Sequence, residues 1–282
     1  TETEDDGTLH VLATTYPVYL FTTAVTEGVE NVEVSLLVNQ PVSCLHDYTL
    51  TVTDMKAIEG ADVIVMNGAG LEDFMDDALA ASEGAVIDCS AGLELLPAMG
   101  HEGHDHDTEY DPHIWMDPAC AQEMMAVIAQ GLGEALYGDG WAAHGALHTN
   151  QLAAGDMLEQ ARQRWAEQLA PLAGAELITF HDGFQYFARA FDLTLLKAIE
   201  EEEGAEASAA EIREVAGLIG EYGIPAIFTE TNGSDATARA IARETGCLVC
   251  QLDMIMSGEG TGIGPYLDAM QKNIDTIVEA LG

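Results

Sequence analysis

The chain alternates between short apolar runs and longer amphipathic stretches, and this alternation predicts its architecture. Short runs rich in valine, isoleucine and leucine are typical of strands buried in a parallel sheet, and the segments between them have helical periodicity. We predict strands at 10–15, 32–38, 62–66, 85–88, 176–180, 193–198, 226–229 and 247–252. We predict helices at 18–27, 53–59, 71–81, 183–190, 208–222, 234–244 and 265–281, and a further helix that begins at Pro118. Strands that alternate with helices indicate an α/β fold.

A proline-free stretch from 141 to 169 separates two such α/β halves. As a single helix it spans about 43 Å, which is long enough to connect two lobes. We therefore predict two lobes, each a mostly parallel sheet flanked by helices, joined by one long linker helix. The predicted organisation is a flexible acidic tether at 1–7, an N-terminal α/β lobe at 8–140 with a histidine-rich loop at 98–112, the linker helix at 141–170 and a C-terminal α/β lobe at 171–282.

The composition adds a strong charge asymmetry. The 282 residues include 49 acidic and 9 basic ones, for a net charge of −40, and the 48% of apolar residues are enough to fill a core. Nucleic acid and anionic membrane surfaces are unsuitable partners, because both require lysine and arginine. Binding of cations fits this charge, and so do solubility and a salt-rich habitat. No apolar run reaches the roughly 18 residues of a membrane-spanning helix.

Four potential metal ligands lie at strand ends or before a helix. In the first half, His46 follows the second strand and His113 precedes a helix. In the second half, His181 follows the first strand and Asp253 follows the last. Such positions lie along the ligand-binding edge of an open α/β sheet. A lone histidine there is more often structural, but three imidazoles and one carboxylate, divided between two lobes, form a tetrahedral zinc set by ligand type.

Several motifs occur in the order found in a known family. They are TTYPV at 14–18, HDY at 46–48, NGAGLE at 67–72, DPHIWMDP at 111–118, TFHDGFQY at 179–186 and IFTETN at 227–232. From about Leu9 to its end, the chain resembles the cluster A-I solute-binding proteins of zinc and manganese ABC importers. That family has two α/β lobes joined by one long rigid helix, with the metal between them. The resemblance implies an extracytoplasmic monomer, periplasmic or lipid-anchored, that delivers its ion to an ABC permease in the membrane.

The resemblance also implies a ligand set. The family's three metal-binding histidines match His46, His113 and His181, and its carboxylate matches Asp253. Manganese members commonly have an oxygen ligand where His181 stands, so a histidine there implies Zn²⁺. Imidazole suits zinc, whereas Mn²⁺ prefers oxygen. A manganese-binding homologue and a metal-dependent surface adhesin are the alternatives within the family.

The histidine-rich loop also fits the zinc-type members, which carry an insertion of this kind at the same place. It contains His101, His104 and His106 together with three carboxylates in seven residues. We expect a weak auxiliary site that collects Zn²⁺ near the cleft. A solvated loop with incidental affinity for metal is an equally open interpretation.

The cysteines leave several possibilities open. The segment PVSCLH at 41–46 departs from the family's usual Pro-Gly-x-Asp-Pro-His. Cys44 is therefore a further soft ligand, a disulfide partner or an inert thiol, and we favour a disulfide with Cys120 because both would flank the cleft. The CLVC sequence at 247–250 lies in a predicted strand, where residues three apart point to opposite faces. We do not expect it to form a redox or zinc motif.

The predicted set of four protein ligands favours a protein that binds a metal ion over an enzyme that uses the ion in a reaction. Four protein ligands close a zinc shell, whereas a zinc hydrolase keeps one position for water. We expect Glu230, which follows a strand, to orient a ligand through a hydrogen bond. The chain has no HExxH sequence. We predict a binding protein and not an enzyme, with a zinc hydrolase as the alternative if Asp253 does not bind metal.

Overall fold

The computed structural model describes residues 7–40, 45, 48–99, 109–138, 141, 145–199, 208–231 and 233–282. Its strands are β1 (Leu9–Ala13), β2 (Val32–Leu36), β3 (Val63–Met66), β4 (Ala85–Asp88), β5 (Glu176–Thr179), β6 (Thr194–Ala198), β7 (Ala226–Glu230) and β8 (Leu248–Leu252). Its α-helices are α1 (Tyr16–Val25), α2 (Val52–Glu59), α3 (Asp76–Ala81), α4 (Pro118–Tyr137), α5 (Gly145–Leu169), α6 (Gln185–Ala190), α7 (Ala209–Tyr222), α8 (Ala236–Thr245) and α9 (Gly264–Leu281).

The strands form two four-stranded sheets with the same topology. The strand orders are β2-β1-β3-β4 and β6-β5-β7-β8, and these pairings are parallel. The predicted fold class, two lobes with parallel sheets flanked by helices, is confirmed. The strand order reverses between β1 and β3 and again between β5 and β7. Ligands of open α/β sheets bind outside the carboxyl ends of the strands at such points.

Most element bounds lie within two residues of the predicted ones, and local chemistry explains the differences. Helix α1 begins at Tyr16, earlier than predicted, because Pro17 is compatible with the first turn of a helix. The predicted helix at 71–81 is a 3₁₀ turn, Asp73–Met75, followed by the short α3. Asp117 caps α4 as predicted, since its Oδ1 accepts a hydrogen bond of 2.8 Å from the backbone N–H of Ala119.

Helix α5 contacts both halves of the molecule. It contains 25 residues and ends at the predicted Leu169. Near its beginning, Asn150 Nδ2 donates to the carbonyl of Val25 at 2.9 Å. Near its end, Trp165 Nε1 donates to Gln271 Oε1 of α9, also at 2.9 Å. These contacts are consistent with the predicted linker helix.

One hydrophobic core continues from the first half into the second. It includes buried side chains of β1, β3, α4, α5 and α9, and a smaller cluster fills the space between the second sheet and helices α7 and α8. Trp115 is fully buried in the continuous core. Its Nε1 donates to the carbonyl of Met254 at 2.8 Å, and its own carbonyl accepts from Tyr266 at 2.7 Å. The loops at the facing edges of the two sheets are therefore held against each other.

Candidate metal centre

His113 is held by the carboxylate two residues before it. The His113 side chain is buried, with 4% of its surface exposed, just before the 3₁₀ turn Ile114–Met116 that leads into α4. Asp111 Oδ1 accepts from the backbone N–H of His113 at 2.9 Å and lies 2.7 Å from its Nδ1. A carboxylate in this position favours a proton on Nδ1, which leaves Nε2 as the nitrogen with a free lone pair.

His181 is equally buried at the end of the first strand of the second sheet. Its carbonyl accepts from Thr179 Oγ1 at 2.8 Å, which shapes the turn after β5. Glu230, at the end of β7, places Oε1 3.5 Å from Nδ1 of His181. Gly183 permits close packing, because a Cβ there would lie 2.2 Å from Met254 Cε and 2.9 Å from His181 Cδ2.

The two histidines meet between the lobes. Their Nε2 atoms lie 3.1 Å apart, and their rings are nearly perpendicular. With a proton on each Nδ1, beside its carboxylate, both Nε2 lone pairs would point at one shared metal ion. Two nitrogens bound at 2.0–2.1 Å to one tetrahedral Zn²⁺ lie about 3.3 Å apart. The observed spacing is therefore close to that of two ligands of the same zinc ion.

Acidic groups surround this pair. Burial raises the pKa of Asp182 to about 6, with a further contribution from the charge of Asp111 and an opposing one from His113. Asp111 and Glu230 add carboxylates beside the two rings. Such a concentration of negative charge stabilises a bound cation.

Asp253 lies in a tightly anchored loop after β8. Its backbone N–H donates to Asn273 Oδ1 at 2.7 Å and its carbonyl accepts from Asn273 Nδ2 at 2.8 Å. Its Oδ1 accepts from the N–H of Ile255, whose φ of 61° is unusual for a β-branched residue. Within the described ranges, no three His, Cys, Asp or Glu side chains form a group that could hold a metal. The structure brings His113 and His181 into contact, and the role of Asp253 as a ligand stays a prediction.

Several predicted site residues lie outside the described residues. They are His46, Cys44 and the loop histidines His101, His104 and His106. Their roles stay predictions.

Cys120 corrects the expected disulfide. It is a free, buried thiol on α4, and Arg189 Nη2 of α6 donates to its Sγ at 3.4 Å. Burial raises its pKa to about 11, which keeps it protonated. The favoured bridge to Cys44 is therefore wrong for this structure, since the side chain packs beside Arg189 as an inert thiol.

Cys247, just before β8, and Cys250, within β8, pack on opposite faces of the second sheet. Cys247 packs against the small cluster under α7 and α8, whereas Cys250 packs against the continuous core. Both are free thiols. The expectation that this CxxC sequence forms no redox or zinc motif agrees with their placement.

The buried carboxylate of Glu72 stabilises the turn that contacts the loop of His113. Glu72 accepts hydrogen bonds from Thr14 Oγ1 and the N–H of Asn67, both at 2.7 Å, and from the N–H of Gly68 at 3.0 Å. Asn67 Nδ2 in turn donates to the carbonyl of Pro112 at 2.8 Å. Burial raises the pKa of Glu72 from 4.5 to about 7, and its hydrogen bonds only partly offset this effect.

The raised pKa of Glu72 predicts a pH dependence of stability. Between pH 4.5 and about 7 the unfolded chain has lost this proton and the folded chain retains it, so stability falls as the pH rises through this range. Glu72→Gln removes the titration. We expect the loss in free energy of unfolding between pH 5 and pH 8 to be smaller in the variant by about 2 kcal/mol. Urea unfolding of the metal-free proteins measures this difference, with Glu221→Gln on the exposed face of α7 as control. Equal pH dependence in wild type and Glu72→Gln would contradict the expectation.

Sequence reasoning pointed to the two histidines and to Glu230, but it missed Asp111, Trp115 and Gln185. Asp111 and Trp115 both lie in the DPHIWMDP motif, and Gln185 lies in the TFHDGFQY motif. The signal for Asp111 was a carboxylate two residues from a proposed ligand. Trp115 and Gln185 contact partners far along the chain, and local spacing does not reveal such contacts.

Comparison with known proteins identifies the family. A family model for ZnuA, described as zinc-uptake complex component A, periplasmic, matches residues 11–280. The chain belongs to this family. The predicted resemblance to metal-binding solute-binding proteins is thereby confirmed. The family model describes a zinc-uptake component, so the prediction that the chain is a metal-binding transport protein and not an enzyme is confirmed.

Solved structures of this family and its neighbours have the same fold. The crystal structure of ZnuA has a TM-score of 0.81 and 27% identity and covers 98% of this chain and 100% of its own. The laminin-binding protein of Streptococcus agalactiae, described as having adhesin and metal-transporting activity, has a TM-score of 0.80 and 26% identity over 97% of this chain and 100% of its own. FpvC of Pseudomonas aeruginosa in complex with Mn²⁺ has a TM-score of 0.82 and 25% identity over 97% of this chain and 98% of its own.

Two relatives of this chain are named as zinc-binding proteins. The zinc-binding lipoprotein AdcA of Streptococcus pneumoniae is 28% identical over 287 residues, which are 96% of this chain and 56% of AdcA. The zinc-binding protein TroA of Treponema pallidum is 29% identical over 247 residues, which are 84% of this chain and 78% of TroA. The chain thus spans about half the length of the AdcA relatives that it matches.

In the part of the chain that the structure describes, no helix is both long and apolar enough to cross a membrane.

Proposed function

We propose that this chain is the extracytoplasmic solute-binding component of a zinc importer. It captures Zn²⁺ between its lobes with His113 and His181, and His46 and Asp253 complete the shell. The observation that carries this proposal is the pair of buried Nε2 atoms 3.1 Å apart, each ring having a carboxylate beside its Nδ1. Membership of the zinc-uptake family supports it.

The donor set favours Zn²⁺ over Mn²⁺. Both central ligands are imidazole nitrogens, which suit zinc, whereas Mn²⁺ prefers oxygen. The net charge of −40 raises the local concentration of any divalent cation and does not discriminate between the two. Selectivity therefore depends on the histidines.

A competition titration tests this proposal. Metal-stripped protein is titrated with Zn²⁺ in the presence and absence of excess Mn²⁺, and native mass spectrometry counts the bound ions. We expect one tightly held Zn²⁺ that excess Mn²⁺ does not displace. Displacement by Mn²⁺, or the absence of any tightly held ion, would contradict the proposal.

The ion is then delivered to a membrane permease of the ABC type. The protein acts as a monomer outside the cytoplasm, either in the periplasm or anchored by lipid. The family description as periplasmic and the lipoprotein name of AdcA support this location. The histidine-rich loop serves as a weaker site that collects Zn²⁺ near the cleft.

A further inference from the structure

Helix α6 of the second lobe reaches across to the first lobe with three side chains. Tyr186 accepts from the backbone N–H of Leu96 at 2.9 Å. Arg189 Nη2 donates to Asp117 Oδ2 at 2.9 Å. Gln185 Nε2 donates to Asp111 Oδ2 at 3.0 Å, and its distance to the carbonyl of Pro97 is 3.4 Å. The helix therefore holds the DPHIWMDP segment at both of its aspartates.

The contact of Gln185 leads directly to a histidine of the metal centre. Asp111 is buried, with 2% of its surface exposed. Its Oδ1 is engaged twice by His113, through the backbone N–H and through Nδ1. Its Oδ2 accepts from Gln185. The chain of contacts therefore runs from α6 of one lobe, through a buried carboxylate, to the imidazole of the other lobe.

We propose that Gln185 is a positioning residue for zinc binding, which fixes Asp111 and thereby the orientation of the His113 ring. A carboxylate held at both oxygens has one position, so the His113 Nε2 lone pair is directed at His181 before the ion arrives. Mutation of a residue that hydrogen-bonds to a metal ligand typically lowers the metal affinity 10- to 100-fold.

Gln185 and its partner Asp111 belong to different lobes, so their contact also depends on how the lobes pack. Gln185 lies four residues after His181, in the same lobe, whereas Asp111 and His113 belong to the other. Any separation of the lobes would withdraw Gln185 from Asp111 as it withdraws His181 from His113. Affinity for zinc is thus coupled to the packing of the lobes through a residue that does not touch the metal.

A double-mutant cycle tests this role, which rests on the proposed function because it concerns the same zinc site. The variants are Gln185→Ala, Asp111→Ala and the double variant, with Gln163→Ala on the exposed face of α5 as matched control. Zinc affinity is measured by competition with a chromophoric chelator. We expect Gln185→Ala to weaken zinc binding about 10-fold in the wild-type background and to have little further effect when Asp111 is already alanine. Gln163→Ala should bind as the wild type does.

The cycle separates this role from a merely structural one and from the proposed function. If wild type itself binds no zinc tightly, the proposed function fails. If wild type binds zinc and Gln185→Ala binds equally well, or loses the same factor in both backgrounds, the positioning role is overturned. Circular dichroism of the metal-free variants checks folding. Gln185→Asn, which is one methylene too short to reach Asp111, replaces Gln185→Ala in the cycle if the alanine variant does not fold.

Discussion

Replacing His113 by alanine lowers the affinity for Zn²⁺ by more than about 100-fold. The substitution removes one of two imidazole nitrogens that face each other at 3.1 Å, and it leaves Asp111 buried without the ring beside it. Removing a direct ligand should lower the metal affinity by more than the 10- to 100-fold loss that is typical when a residue supporting a ligand is removed. Competition of the metal-stripped variant with a zinc chelator of known affinity measures the effect.

His148→Ala is the matched control for this experiment. His148 lies exposed on α5, and its ring contacts Trp141 at a centroid distance of 6.5 Å. Like His113→Ala, this substitution removes one histidine, but it leaves the centre between the lobes intact, so we expect the zinc affinity of the wild type. Equal affinity of His113→Ala and wild type would show that the metal binds elsewhere.

Replacing Trp115 by alanine lowers the free energy of unfolding by about 3–5 kcal/mol, the usual range for a fully buried tryptophan. Two effects add. The indole leaves a cavity in the core that joins the lobes, and the carbonyl of Met254 loses the hydrogen bond of 2.8 Å from Nε1. Urea unfolding of the metal-free protein, followed by circular dichroism, measures the loss.

Leu152→Ala provides the comparison for Trp115. Leu152 is 50% exposed on α5, and we expect its truncation to change the free energy of unfolding by no more than about 0.5 kcal/mol. A loss below about 1 kcal/mol in Trp115→Ala would mean that neighbouring side chains refill the space, and that the two lobes are not held together through this residue.

The sequence was sufficient to predict the sheets because each strand is a short apolar run bounded by turn residues. The run at 62–66 became β3 and that at 226–229 became β7, with shifts of a single residue. Less regular regions were harder. Glu72 binds backbone N–H groups of the preceding turn, and the predicted helix at 71–81 gave way to a 3₁₀ turn and the short α3. Periodicity carries no information about such side-chain contacts.

The candidate metal centre was predicted in part. Position after a strand or before a helix is visible in the sequence, and it pointed to His113 and His181, which meet in the structure. Glu230 was visible in the same way, since it ends a strand, whereas Gln185 was not, because its partner Asp111 lies 74 residues away along the chain. Pairing of cysteines was the least predictable feature, since it depends on distances in space, and Cys120 proved to be a free thiol beside Arg189.

The most direct test of zinc capture between the lobes is diffraction from zinc-loaded crystals at the zinc absorption edge. We expect a strong anomalous peak between the lobes, at roughly 2.0–2.1 Å from Nε2 of both His113 and His181. A strong peak only at surface carboxylates, with the two Nε2 atoms still in contact with each other, would contradict the assignment of this centre.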